Sequence, residues 1–378
     1  MRLLILEPDP RHGGGSEAVM LSLGRELAGR GHEINLLHET SGSMLAHYQA
    51  FCRTVVRKPL PGFAMRQPHR TLGCVRTISR LARELDVDAV LSSHLGFLRH
   101  AALVRRVYGV PFCFHLGLPL EGRQLSIRLA LGSAGAGVAP SAHTLESWHR
   151  GGWPADALHE VRNWVDPARF RPSADVAGLR RELGMPVDQA CVVFVGRVCA
   201  QKGVDVLIEA FAALATTRED TSLLLVGPVA SDYALHLQAR LDALDGSVRA
   251  RIHLMPATAT PERFHAAADL VCAPSLGDET FGLAVVEAMA SGVPVIASAL
   301  GVVGEILGDG NEDLLVPAGD AAALRASIES WLADPVRLRM RGRQLRDRAV
   351  AQFGPGPSVL AYEQILADLR GCGRAGRN

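Results

Sequence analysis

The sequence predicts an α/β protein made of two doubly wound parallel sheets. Three observations predict it. The chain has 378 residues, more than one ordinary hydrophobic core serves, so two domains are expected. Its hydrophobic fraction is 48% and its mean hydropathy is positive, as a well-buried globular protein requires. Short apolar runs alternate with helical patterns almost throughout, which implies parallel sheets covered on both faces.

In the first half, residues 3–7, 33–37, 89–93, 111–115 and 137–139 read as strands, with helices near 16–30, 70–85 and 141–149. Residues 158–172 read as a connector ending in Arg169-Phe170-Arg171-Pro172. A second series follows, with strands near 191–195, 222–226, 251–255, 269–273, 294–297 and 314–316. Helices near 202–216, 232–244, 282–290 and 320–333 separate them. The breaker Phe353-Gly354-Pro355-Gly356-Pro357 precedes a last helix, about 358–370, and residues 371–378 read as a polar tail. The expected domains are therefore 1–172 and 173–353, with 354–378 a terminal helix placed to return to the first.

Composition excludes several classes of function. A formal net charge of +1 argues against nucleic acid as a partner. The seven cysteines are scattered without C-x-x-C spacing, so reduced thiols are expected rather than a zinc site or a disulfide framework. The longest uncharged apolar stretch, 288–304, is broken by Gly292, Pro294 and Gly301 and cannot span a membrane. The apolar run after Met1-Arg2 is too short for a secretory segment, so a cytoplasmic protein is expected.

Doubly wound sheets bind ligands at the carboxyl ends of their strands, and that rule sorts the candidate residues. Strand 191–195 ends in Gly196-Arg197, Lys202-Gly203 opens the next helix, and no acid intervenes. Two cations among glycine-flanked amides make a phosphate cradle. In the run Asp278 to Pro294, seven residues separate Glu279 from Glu287. Between them Thr280, Phe281, Gly282 and Leu283 form the start of a helix, whose free amides and dipole attract a phosphate. Glu287 lies amid Ala284, Val285, Val286, Ala288 and Met289, too apolar a setting for a solvated carboxylate, so it needs a partner. Carboxylates attract hydroxyls. The combination suits a sugar nucleotide, hydroxyl-rich at both ends and anionic in the middle.

Gly196-Arg197, Lys202-Gly203, Pro274-Ser275, Glu279 with Phe281-Gly282, Glu287-Ala288, Gly292-Val293-Pro294, Gly301 and Glu305 together carry a resemblance. The pattern covers most of the second half and resembles family 4 of the retaining glycosyltransferases, which have the GT-B fold. The resemblance implies two Rossmann-like domains facing a central cleft, with a C-terminal helix crossing back to the first. It also implies transfer of a sugar from a UDP- or GDP-type nucleoside diphosphate sugar to an acceptor hydroxyl, with anomeric retention and no metal or cofactor. Arg197 and Lys202 then bind the donor diphosphate, with Gly196 beside them. Glu287 binds ribose hydroxyls, Glu279 lies by the donor sugar and reaction centre, and Thr280, Phe281, Gly282 and Leu283 offer backbone amides.

In the first half, Gly14 and Gly15 open a helix after Arg11-His12-Gly13, and the resemblance has such a loop approach the donor. His115, ending a strand, resembles the family's active-site histidine, which contacts the donor sugar. His94, ending the preceding strand, is the alternative or an acceptor contact. The acceptor is a small molecule, a saccharide or a lipid-linked compound. The chain departs from the family at Trp164, where glycine is common, and at Asn311-Glu312-Asp313-Leu314; the first bears on the acceptor or a hinge, the second on a turn.

Other readings stay open. Gly13-x-Gly15-x-x-Ala18 with Glu39 loosely fits a dinucleotide fingerprint and an NAD-dependent oxidoreductase, although residues 8–12 make too long a lead. A nucleotide-sugar epimerase or phosphorylase on the same fold is a further alternative. Asp86-Val87-Asp88 mimics a metal-binding D-x-D but precedes its strand, the wrong edge, so no metal site is expected there. From Thr40 to Arg83 there is no acid, while Arg53, Arg57, Lys58, Arg66, Arg70, Arg76, Arg80 and Arg83 all occur. They form either the solvated side of a helix whose core face is Leu72, Val75, Ile78, Leu81 and Leu85, or a peripheral contact with anionic membrane at its inner face, or with an anionic acceptor.

Overall fold

The structure, a computed structural model, describes residues 1–11, 14–63, 68–118, 120, 135–277 and 279–375. His12, Gly13, Arg66 and Asp278 lie outside the described residues. The chain forms two compact units, Met1–Asn163 with Pro355–Asn378, and Trp164–Gly354.

The first unit is an all-parallel sheet of β1 (Arg2–Leu6), β2 (Glu33–His38), β3 (Thr54–Arg57), β4 (Ala89–Ser92), β5 (Phe112–His115), β6 (Gly135–Ala139) and β7 (Leu158–Glu160). Their spatial order is β3-β2-β1-β4-β5-β6-β7. The second holds β8 (Ala190–Val195), β9 (Thr221–Val226), β10 (Ile252–Met255), β11 (Leu270–Ala273), β12 (Val295–Ser298) and β13 (Leu315–Val316), in the order β10-β9-β8-β11-β12-β13. Central strands such as β1, β4 and β9 are buried nearly end to end, because helices cover both faces and leave no polar alternation. Each unit has its own core. Leu4, Ile78, Val90, Phe114, Trp148 and Trp153 anchor the first, and Val193, Phe211, Leu224, Val286, Ile296 and Trp331 the second.

Departures from the sequence reading occur where the chain is short or half-exposed. β3 and β7 were not anticipated. They are the two edge strands, only partly buried, so neither carries an apolar run. The unit boundary falls after Asn163 rather than at 172, because Trp164, Val165 and Phe170 are buried and Val165 bonds its amide to Phe353 O at 2.9 Å. The terminal helix starts at Pro355, inside the expected breaker, and runs through most of the expected tail to Ala375. Proline lacks the amide that a first helical turn cannot pair anyway. On helix Pro68–Glu84, Leu72 is 48% exposed instead of facing the core; Thr71, Cys74, Val75, Ile78 and Leu81 take the inward stripe.

The acidic pair before β4 is engaged structurally. Asp88 accepts the Arg2 amide at 2.9 Å and pairs with Arg370 at 3.0 Å, while Asp86 pairs with Arg2. Cys74, Cys113, Cys191 and Cys272 are buried, and burial pushes the Cys113 thiol up to about 12, away from reactive thiolate. Among the described residues, no helix is long and apolar enough to cross a membrane.

Candidate active site

Each sheet has one point where the chain reverses its direction of winding, between β1 and β4 in the first and between β8 and β11 in the second. Crevices open outside the carboxyl ends of strands at such points. Arg197, Lys202, Glu279 and His94 follow strands that flank those points, and His115 ends β5, one strand further out.

In the second unit, β8 runs out into Gly196-Arg197 and the turn Ala200–Lys202. Gly203 follows at φ 69°, and a Cβ there would lie 1.8 Å from Pro274 O at the β11 exit. Only glycine admits that approach. It sets Lys202 against the loop after β11. Lys202 Nζ lies 2.8 Å from Glu279 Oε2, and Ser275 Oγ donates to the same oxygen at 2.9 Å. From the other side Gly301, at φ 53°, brings its Cα so close that a Cβ would meet Glu279 O at 2.6 Å. Glu279 is thus fixed by both its side chain and its backbone. Arg197 is exposed and has no partner among the described residues.

Phe281 is buried against Phe353, ring centroids 6.0 Å apart, and seats the start of helix Leu283–Ala290. Val285 and Val286 make the first bonds, both to Gly282 O, so the amides of Leu283 and Ala284 are not used by the helix. Glu287, one turn further on, has a polar neighbour within its apolar setting. Its Oε2 lies 3.4 Å from Nε2 of His265, a fully buried residue whose ring nitrogens have no hydrogen bond. His265 sits on helix Pro261–Ala267 and packs against Phe170 at 6.0 Å. Sequence reasoning passed over His265, although a histidine amid Phe264, Ala266 and Ala267 was a signal that it is buried.

In the first unit, Gly14 is the extended cap of helix Gly15–Gly29. His115 ends β5 and is 1% exposed; its Nδ1 lies 3.0 Å from the Tyr362 hydroxyl, and its Nε2 has no partner. Burial lowers its pKa to about 4, so the ring is neutral at physiological pH. His94 follows β4, and its Nε2 meets Oε1 of Glu7, which follows β1. Ser92 Oγ ties the two strand exits, donating to Leu6 O and accepting from the His94 amide, each at 3.1 Å. Burial raises the Glu7 pKa against the pull of His94. Burial opposes the charge on His94, but Glu7 beside it keeps the imidazole above its ordinary value. Trp164 is buried in the second unit.

The structure thus joins Lys202 and Glu279, and it pairs Glu287, His115 and His94 with His265, Tyr362 and Glu7, three residues the sequence reading did not select. Cations and amides free of the helix at one switch point can receive an anion, and carboxylates beside them can receive hydroxyls.

Residues 176–348 match the model of the glycosyl transferases group 1, and residues 13–169 match that of Glycosyltransferase Family 4. The chain is 30% identical to D-inositol 3-phosphate glycosyltransferase 1 of Catenulispora acidiphila, over 99% of this chain and 94% of that protein. It is 31% identical to the alpha-maltose-1-phosphate synthase of Mycolicibacterium smegmatis, over 78% of this chain and 84% of that one. The crystal structure of Anabaena Alr3699/HepE in complex with UDP and glucose shares the fold, with a TM-score of 0.84 at 21% identity over 97% of this chain and 99% of its own. The match over 13–169 removes the dinucleotide reading of the glycine loop.

Proposed function

This chain belongs to the group 1 glycosyltransferases of family 4, and on that premise we propose that it transfers a hexose from a UDP- or GDP-type sugar to an acceptor hydroxyl with retention. The observation that carries the donor assignment is the cluster of Lys202, Glu279 and Ser275 beside the unused amides of helix Leu283–Ala290. Arg197 and Lys202, rather than a metal ion, balance the diphosphate, and the amides of Leu283 and Ala284 add donors aimed at it. Glu279 holds the Lys202 ammonium in place before the donor arrives. Glu287 takes the ribose hydroxyls. His115 is assigned the contact to the transferred sugar that the resemblance implies.

In the reaction, the bond from the anomeric carbon to the diphosphate oxygen breaks. The acceptor oxygen bonds to that carbon on the same face, and its proton passes to the departing phosphate. Arg197 and Lys202 stabilise the charge that grows on the leaving group. Exposed Arg70, Arg76 and Arg80, with Leu72 among them, also give the first unit a cationic surface suited to anionic lipid. Retention on anionic liposomes at low salt, lost at high salt, tests that contact.

The central test is a panel of UDP- and GDP-hexoses ranked by thermal shift, since a bound donor raises stability by mass action. The selected donor is then turned over and the product anomer read by NMR. A retained anomer is expected. An inverted product, free sugar phosphate, or conversion of donor without acceptor overturns the reading.

A further inference from the structure

The stretch of chain that opens the second unit is folded into a braced turn. Asp166 shapes it: its Oδ1 accepts the Ala168 amide at 2.9 Å, and its carbonyl accepts the Phe170 amide at 2.8 Å. Arg346, on helix Pro335–Gln352, donates to Phe170 O at 3.0 Å. From this turn the guanidinium of Arg169 forks between two neighbours. Nε and Nη2 donate to Glu262 Oε2 at 3.0 and 2.9 Å, and Nη2 also donates to Ala259 O at 2.9 Å. Glu262 lies in the first turn of helix Pro261–Ala267, and Ala259 lies in the loop 256–260 that joins β10 to that helix.

That loop leaves the carboxyl end of its strand, the edge at which a doubly wound sheet takes its ligand. Helix Pro261–Ala267 and helix Leu283–Ala290 each follow a strand of one parallel sheet, so they run the same way. His265 and Glu287 each stand fifth in their helix, with Nε2 and Oε2 3.4 Å apart, so the two helix starts lie side by side. With the diphosphate at Lys202 and the ribose at Glu287, the base is directed toward the start of helix Pro261–Ala267 and the loop before it. Residues 256–260 are Pro-Ala-Thr-Ala-Thr, with no charged side chain, and Thr258 Oγ1 already accepts the Thr260 amide at 3.0 Å. Recognition of a base there falls mainly to backbone amides and carbonyls. A backbone selects between bases only when it is held still, and Arg169 grips both the loop and the helix after it.

We propose that Arg169 is a positioning residue for the nucleoside end of the donor, and that by fixing loop 256–260 it sets the preference between nucleotide bases. The proposal rests on the glycosyl-transfer reading given above. Arg169 has no part in the chemical step.

The test measures UDP and GDP binding to the full chain by calorimetry, in the parent, Arg169→Ala and Arg169→Lys. Donor KM and kcat are read with the nucleotide sugar chosen by the thermal-shift panel. The parent is expected to prefer one base. Arg169→Ala is expected to weaken the preferred nucleotide about threefold to tenfold, the scale of one hydrogen bond, and the other less, so that the preference narrows. Donor KM rises with it, while kcat at saturating donor stays within about twofold, as the loss of uniform binding requires. Lysine keeps the charge but lacks the planar fork that spans Glu262 and Ala259 O, so Arg169→Lys is expected to narrow the preference too. Should Arg169→Ala fail to fold, Arg169→Lys decides. Equal losses for UDP and GDP, a loss confined to kcat, unchanged binding in every variant that folds, or a parent without a preference overturns the positioning role. A parent that binds neither nucleotide overturns the glycosyl-transfer reading instead.

Discussion

The hydroxyl of Tyr362 lies 3.0 Å from Nδ1 of His115, although 247 positions separate them in the chain. Both residues are buried, so the bond ties helix Pro355–Ala375 to the exit of β5. Burial pushes the Tyr362 phenol well above its ordinary range, so it keeps its proton at physiological pH. Tyr362→Phe should cost about 1–3 kcal/mol, the usual penalty for leaving a buried polar group unpaired. Urea unfolding at neutral pH measures it. A variant as stable as the parent would show that the bond does not form.

The same histidine sets an acid limit on the first unit. In the folded protein His115 titrates at about 4, below the ordinary value of 6.5, because it is buried. As pH falls, the unfolded chain therefore takes up this proton first. The contribution of His115 to stability is complete above pH 6.5 and is lost between there and about 4. Integrated over that window it amounts to up to about 3 kcal/mol. His94 runs the other way: Glu7 holds it above its ordinary value despite burial, so its contribution is present at low pH and fades as pH rises through the folded value. Comparing the unfolding free energy of the parent and His115→Gln across this window isolates the first effect. Parallel profiles would rule it out.

How far the sequence was readable follows from which forces are local. The central strands and most helices declare themselves as apolar runs and amphipathic stripes. β3 and β7 do not, since an edge strand buries only part of one face and needs no such run. In the site, Lys202, Glu279 and Glu287 were readable because each is a charge in an apolar or glycine-rich setting. Their partners were harder to see. His265, Tyr362 and Glu7 become informative only when the fold brings them beside Glu287, His115 and His94, at chain separations no local pattern spans. Pro355 misled for a physical reason, since proline both breaks a helix and opens one.

Lys202 and Glu279 make an ion pair that is partly open to solvent, with side chains 36% and 18% exposed. A pair so placed contributes little to folding, within about 1 kcal/mol. Lys202→Ala should therefore leave the unfolding midpoint nearly unchanged while abolishing donor turnover. Glu279→Gln should keep nucleotide binding better than Lys202→Ala does, because it removes the group that positions the cation and not the cation itself. Nucleotide affinity by calorimetry and turnover of the donor separate the two. Full activity in Lys202→Ala would refute the cradle.

The approach of His265 to Glu287 yields the most discriminating prediction. His265 is fully buried, and neither ring nitrogen has a hydrogen bond, so replacing it with an apolar side chain breaks none in the fold. His265→Leu should change stability by less than about 1.5 kcal/mol, as volume-conserving core substitutions do. Yet the Nε2 atom, 3.4 Å from Glu287 Oε2, is the polar neighbour that orients the carboxylate. Without it Glu287 adopts more than one rotamer, and affinity for the nucleoside diphosphate should fall about threefold to tenfold, the scale of one modest hydrogen bond. Glu287→Gln should weaken affinity at least as much, and the double variant should do little more than Glu287→Gln alone, because both changes act through one carboxylate. Additive losses would mean that His265 acts on the nucleotide by a route that does not pass through Glu287.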